Sequence, residues 1–526
     1  MIFLGMVFGL VQTLAPMQTG KDEFVFGNEG EVESVDPAFE TGVPDNTIVV
    51  QIFEGLLSRK ADWIELIPGL AEKLPTISKD GKTYTFKLRP NLKWSDGTPL
   101  TAKDFEYSWV RAIDPKTLAD YAYWLTNSVV GAAEYNKNPT PENAKKVMAK
   151  AIDDRTFVVN LKKVTPSFSQ ICSLALTYPV KKEVVEKWKE QWTRPEHIVG
   201  TGPYKMVEWK VQDKIVMEKN PYYYDADKVK IPRVVALPIT DRQTVVNLFK
   251  QGKLDWSGRN GSPNALVPSF KSDPQFRVHP SATTYLYWIN TSNPPLNDKR
   301  VRQALTLAID RKQLVENVTR GGEIPAGFFV PQNLGHYKSP TGIVSNDHKA
   351  DLEKAKKLLA EAGFPGGKGM RPLKIQYNSD ENHKKIALTV QQMWKRDLGV
   401  ETVLTNLEWK VYLQEQRAMN FDFSRGGWQA DYPDPGTFLE ILTPGSENNH
   451  TRWKNAKYGE IFDRANSMMD ETKRNKVLAE AEKLMLEEAP IIPFYTYTNF
   501  GFLRPEIAGF TPNLVDQPFV RYMSKK

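Results

Sequence analysis

A chain of 526 residues with 40% hydrophobic, 25% charged and 11% aromatic residues has the balance of a globular protein with roughly two to four domains, which excludes a disordered or membrane-embedded chain. The net charge of +7 is modest for this length and Lys/Arg form no dense block, so the basic stripe of a nucleic-acid partner is missing. The single cysteine, Cys172, permits no internal disulfide, and its setting in Gln-Ile-Cys-Ser-Leu-Ala-Leu reads as a buried, inert thiol.

Residues 2–11 form an apolar run too short for a membrane span. Small and polar residues follow, so 1–15 reads as a secretory-signal-like segment cut near Ala15, although a basic n-region is missing. No cysteine stands there for a lipoprotein anchor. Residues 23–26 read as a strand, Asp36-Pro37 as a loop and 45–57 as a helix. Alternation over 82–88 puts Tyr84, Phe86 and Leu88 on one strand face, between turns at Asp80-Gly81 and Asp96-Gly97. Thr101 and Asp104 form a capping box that opens a helix. Residues 156–161 supply a strand to pair with the first, and 205–209 and 214–218 supply two more. Helices then dominate. Val301, Ala304, Leu305, Ala308 and Ile309 share one face, and Leu352, Ala355, Leu358, Leu359 and Ala362 share another, closed by Gly363. Further helices cover 386–398 and 472–488, with a strand at 400–404 between them.

The densest chemistry lies in Arg425-Gly-Gly-Trp-Gln-Ala-Asp-Tyr-Pro-Asp-Pro435. Adjacent glycines let a ligand backbone approach closely. Trp428 offers a flat apolar wall with one donor. Asp431, between Ala430 and Tyr432, either presents a carboxylate to an ammonium from a partly apolar setting or caps the Tyr-Pro-Asp-Pro turn.

Signatures of catalysis are absent. The six histidines (His197, His279, His336, His348, His383 and His450) show no metal-ligand spacing, and no His-Glu-x-x-His or Cys-x-x-Cys occurs. Neither a Gly-x-Ser-x-Gly elbow nor a phosphate-binding Gly-x-x-x-x-Gly-Lys is present. Gly321-Gly322 and Gly366-Gly367 suit loops and helix ends. No catalytic residue, metal or cofactor is therefore expected.

Four segments together resemble one family: residues 82–105 with their Trp94-Ser-Asp-Gly-Thr core, Gly200-Thr-Gly-Pro-Tyr204, Asn297-Asp-Lys-Arg-Val-Arg-Gln-Ala-Leu305, and 425–435. In this order they resemble the extracytoplasmic solute-binding proteins of peptide ABC importers, family 5 type, and most closely the oligopeptide binders among them. The likeness runs from about Phe24 to the C-terminus. It implies a two-lobed α/β periplasmic-binding-protein fold, large and type II-like, with an extra inserted α+β lobe. Lobe I would comprise 16–53, 180–281 and 499–526, the inserted lobe 54–179 and the C-terminal closing lobe 282–498, with crossings near Ser281 and Asn499. Such proteins trap ligand by hinge closure.

The resemblance further implies that Asp431 holds a peptide α-ammonium, and that Trp428, Gly427 and Trp409 line side-chain pockets and main-chain contacts. Arg425 and His383 match positions that meet the peptide carboxylate. Asn448, Tyr497, Tyr121 and Val43 also fall on binding positions. Core packing competes for the tryptophans, half-buried packing for the tyrosines and a solvated helix start for His383. Relatives' glutamate near the N-terminus is Thr41 here, with Glu40 just before it. Two cationic positions are Thr319 and Gln416, and a cysteine pair of some relatives is Thr283 and Gln429. The expected protein is a monomeric periplasmic or extracellular oligopeptide binder that delivers to a membrane permease, without nucleic acid. A same-fold binder of a cell-wall peptide, oligosaccharide or metal chelate is the alternative. A secreted hydrolase or a weak chaperone-like holder stands behind it.

Overall fold

The computed structural model describes residues 19–526 apart from Thr41, Asn333, Asn346 and Glu447, with the backbone alone at Lys410. The signal-like segment 1–15 and the Thr41 position lie outside the described residues. Three larger sheets organise the chain. In the first, Glu23–Gly27 pairs in parallel with Arg233–Leu237, followed antiparallel by Lys214–Lys219 and Tyr204–Lys210. The second is antiparallel, in the order Thr76–Ile77, Thr83–Lys87, Thr156–Asn160, Ala149–Asp153. The third has six strands in the order Ile324–Pro325, Ile491–Phe502, Phe276–Ile289, Phe423–Gln429, Leu373–Asn378, Thr402–Leu407. Mixed strands and helices throughout give the expected α/β class.

Side-chain alternation decides which core each strand feeds. Along Phe276–Ile289, Tyr285, Tyr287 and Ile289 enter one apolar cluster, while Leu286 and Trp288 enter the cluster on the opposite face. In the first sheet Phe24 and Phe26 go one way and Val25 the other. Tyr84, Phe86 and Leu88 are all buried in the cluster that also holds Trp94 and Trp109. Cys172 belongs to that cluster, and burial pushes its thiol well above the ordinary value, as befits an inert thiol.

Several local readings match. Asp104 accepts from the backbone N–H of Thr101 at 2.7 Å and opens the helix Ala102–Ala112. Asp298 caps Lys299–Leu307, and Arg302 within that helix is 4% exposed, donating to the carbonyls of Leu296, Glu488 and Ala489. Among the described residues no helix is long and apolar enough to cross a membrane.

Several boundaries differ: the strand expected at 400–404 runs Thr402–Leu407, the helix bearing Val301 ends at Leu307, short of Ala308 and Ile309, and two further shifts have a visible cause. The helix expected over 45–57 runs Val43–Ile52, and Leu57–Arg59 is a strand paired with Leu66–Pro68. The carbonyl of Ile52 accepts from Thr201 (3.1 Å) and Gly202 (3.0 Å), and Thr201 exchanges hydrogen bonds with the backbone of Glu54. The distant Gly-Thr-Gly-Pro segment thus takes the groups that another helical turn would need. The helix expected from 386 starts at Glu381, because Asp380 caps the N–H groups of Asn382 and His383.

Glu482 holds the third sheet's flank together. It is fully buried, accepts from the N–H groups of Phe329 (2.8 Å) and Val330 (2.9 Å), and takes the Tyr337 hydroxyl at 2.6 Å. Glu482→Ala would strand those three donors and should lower stability by about 1–3 kcal/mol. A denaturant midpoint unchanged from the parent would contradict this.

Candidate functional site

The strand Phe423–Gln429 is flanked unequally. On one side Phe276–Ile289 pairs with its whole length, from Ile289↔Phe423 to Thr283↔Gln429. On the other, Leu373–Asn378 pairs only at Phe423 and Ser424. From Arg425 to Gln429 that edge has no strand partner among the described residues, and unpaired edges accept added strands. The two glycines there serve different needs. A Cβ on Gly426 would collide with the Trp288 indole at 2.3 Å, whereas one on Gly427 would meet only ordinary contacts, the nearest at 3.5 Å. Gly426 is thus a packing requirement, and Gly427 leaves exposed backbone.

At the C-terminal end of this edge lies a cavity of about 370 Å³. Its walls come from widely separated segments: Glu40 and Val43 at the start of the first helix, Tyr121 and Trp124 near the second sheet, Trp428 in the third sheet and Asp431 just beyond it. Asp431 accepts from the Tyr121 hydroxyl at 3.3 Å and from Thr437 Oγ1 at 2.9 Å. Asp434 anchors the turn after it, accepting from the Gly436 N–H at 2.7 Å and pairing with Arg474 through both oxygens. Tyr121 stacks on Trp124 with centroids 4.1 Å apart, and Trp124 meets the edge of Tyr432.

The electrostatics are one-sided. Burial pushes Asp431 up to about 6, opposed only by its hydrogen bonds. Burial likewise lifts Glu40 to about 8, with the charge of Asp431 adding to the rise. Glu440 is raised to about 8 by burial and by Asp431 and Asp434. Among the described residues neither Asp431 nor Glu40 forms an ion pair, although Arg59 and Arg521 line the same cavity. Half-buried carboxylates without an ion-pair partner favour either a proton or an incoming cation. Among the described residues no three His, Cys, Asp or Glu side chains converge to hold a metal.

The opposite end of the open edge carries the reverse charge. Arg425 Nη2 donates to the Tyr497 hydroxyl at 2.8 Å, and its guanidinium lies 5.1 Å from the Tyr285 ring centroid. Nη1 reaches Asn378 at 3.5 Å and Nε has no partner. No carboxylate pairs with it among the described residues. His383 packs 5.6 Å from Tyr285, and its side chain is only 13% exposed, so it occupies a helix start without being solvated. Burial, then the charge of Arg425, push its pKa well below the ordinary histidine value against the pull of Asp380, keeping it neutral.

The sequence-derived residues therefore fall into two groups. Asp431, Trp428, Tyr121 and Val43 share the cavity, while Arg425, His383 and Tyr497 form the arginine cluster, with exposed Gly427 on the edge between them. Two stand apart. Trp409 is 50% exposed and stacks on Tyr412, and Asn448 sits half-buried in a turn whose carbonyl accepts from His450. The departures are locally satisfied: Thr319 bonds Glu323 at 2.8 Å and Gln416 bonds Tyr412 at 2.7 Å. Thr283 and Gln429 face each other across the ladder, where a cysteine pair would sit. Trp124, Glu440 and Tyr285 were not singled out from the sequence, since nothing near them in the chain hints at a site.

A cleft walled by separate lobes, with unpaired charge of opposite sign at the two ends of an open strand edge, defines a ligand-trapping protein. Residues 65–450 match the bacterial extracellular solute-binding proteins, family 5, middle region, and the chain belongs to that family. It is 38% identical over 498 residues, 93% of this chain and 90% of the relative, to the periplasmic oligopeptide-binding protein OppA of Salmonella typhimurium. The structure of the Escherichia coli murein tripeptide binding protein MppA superposes with a TM-score of 0.82 at 34% identity, covering 97% of this chain and 99% of that one. Haemophilus influenzae OppA in complex with RPPGFSPFR gives 0.81 at 31% identity, covering 97% and 99%.

Proposed function

We propose that this protein binds oligopeptides outside the cytoplasm and delivers them to the membrane permease of an ABC importer, acting as a monomer without catalysis. The observation that carries the reading is the edge from Arg425 to Gln429, which lacks a strand partner among the described residues and is framed by the Asp431 carboxylate at one end and the Arg425 guanidinium at the other. A peptide laid antiparallel along it would satisfy its N–H and C=O groups as an added strand does. Its ammonium would meet Asp431 and its carboxylate would point towards Arg425. Names borne by the relatives, OppA and MppA among them, agree with a peptide ligand. In this reading lobe I (16–53, 180–281, 499–526) carries the first sheet, the inserted lobe (54–179) the second and the closing lobe (282–498) most of the third, whose two long strands continue into lobe I. The ladder between Phe276–Ile289 and Ile491–Phe502 breaks register between Pro280 and Thr284, a natural place for closure to bend.

Native mass spectrometry of the purified protein should find co-purifying peptides of intact mass. Recovery of a sugar or a metal chelate would overturn the reading, and time-dependent fragments of added peptide would point to hydrolysis.

Binding should also depend on pH in a definite direction. Pairing with an ammonium requires Asp431 ionised, so affinity is fully present above its empty-site value of about 6 and lost as pH falls through it. Between pH 7 and 5 the affinity should drop by up to about tenfold, the fall in the ionised fraction of a group with a pKa of about 6. Calorimetry across that range checks it, and Asp431→Asn should flatten the acid limb.

A further inference from the structure

Arg59 ends the strand Leu57–Arg59 and lines the same cavity as Asp431. It is 5% exposed. Its Nη1 donates to the Trp63 carbonyl at 3.3 Å, its guanidinium lies 5.4 Å from the Trp63 ring, and its Nη2 has no partner among the described residues. A buried guanidinium without a carboxylate is costly, and burial pushes this one down to about 10.

The two acids nearest to it in the chain are committed elsewhere. Glu54 pairs with Arg521 and accepts from the Tyr223 hydroxyl at 3.1 Å. Asp62 accepts from the N–H groups of Ile64 and Glu65 in an exposed turn. A second unpartnered donor, Gln517 Nε2, faces the same cavity from a buried side chain. Two contacts tie the loop of Gln517 to the strand of Arg59: Asn513 Nδ2 donates to Ala61 O at 3.2 Å, and Arg521 Nη2 donates to Arg59 O at 3.1 Å.

We propose that Arg59, with Gln517 in the same cavity wall, forms a subsite for a carboxylate-bearing side chain on the first residues of a bound peptide. This rests on the peptide reading above. It makes the protein prefer Glu or Asp near the peptide's amino end. The chemistry is that of a bidentate guanidinium–carboxylate contact completed by an amide donor. An α-carboxylate offers the same chemistry, but the strand edge carries that end of the ligand away from the cavity towards Arg425.

Calorimetric titration with Ala-Ala-Ala, Glu-Ala-Ala, Gln-Ala-Ala, Ala-Glu-Ala and Ala-Gln-Ala tests this. At least one Glu peptide should bind about tenfold tighter than its Gln counterpart. Arg59→Met, which keeps the aliphatic stem, should shrink that gap to within about twofold, and Arg59→Lys should restore part of it. Equal affinity of Glu and Gln peptides for the unaltered protein overturns the subsite whatever the variants do. So does a gap that persists in Arg59→Met. If Arg59→Met instead abolishes the difference between Ala-Ala-Ala and its C-terminal amide, Arg59 serves the α-carboxylate and the side-chain subsite is also overturned. Failure of every peptide to bind removes the peptide reading itself and the subsite with it.

Discussion

Asp431→Asn is expected to cost about 2–5 kcal/mol of affinity for a peptide with a free amino terminus. N-acetylation of the peptide should cost a similar amount, and the two changes together little more than either alone. Asparagine keeps the shape, its Oδ1 can accept from one of the Thr437 and Tyr121 hydroxyls and its Nδ2 can donate to the other, so the variant removes charge while keeping the loop's partners. The size follows from the setting. Asp431 and Glu40 are half-buried in one cavity, and neither is ion-paired among the described residues. An ammonium entering there meets charge already removed from water, which strengthens the pair relative to one on the surface. Taking either partner away leaves the other desolvated and alone. A calorimetric cycle over parent and variant, with free and acetylated peptide, measures the coupling. Full affinity of the parent for the acetylated peptide would sink the role assigned to Asp431.

Much of this architecture was legible in the chain, where local pattern and tertiary demand agree. The alternation through Tyr84 and Phe86 and the helical face of Val301, Ala304 and Leu305 fall on buried positions. The Trp94 and Gly200 segments, read separately, lie against each other: Ser95 N donates to Gly200 O at 2.9 Å. What escaped were features decided by partners far away in sequence. The first helix stops at Ile52 because Thr201 and Gly202 claim its carbonyl. The burial of His383 depends on Tyr285 and Arg425, neither of which is near it in the chain. Periodicity also cannot say where a neighbouring strand ends its pairing, so the open edge beyond Ser424 was invisible. Arg59 carried no signal in the sequence, because only the folded cavity brings it to the site.

The contribution of Arg425 should depend on peptide length, which no uniform electrostatic attraction would produce. Asp431 and Arg425 are six residues apart, and an extended ladder of six residues spans roughly 20 Å. The arginine side chain reaches back along part of that distance, so only peptides of a few residues can satisfy both ends at once. Longer ones would carry their carboxylate past Arg425, and shorter ones would leave it in water. Matched acids and C-terminal amides of two to about six residues should therefore show an amidation penalty that peaks at one length, of about 2–5 kcal/mol there, with the buried cation left unpaired. Arg425→Met should abolish the peak. It should also lose affinity mainly at that length, because the hydroxyl of Tyr497 and the amide of Asn378 cannot replace a full charge. An amidation penalty equal at every length would mean that the carboxylate feels only the general field of the cleft. The open strand edge would then carry the backbone of the ligand without fixing where it ends.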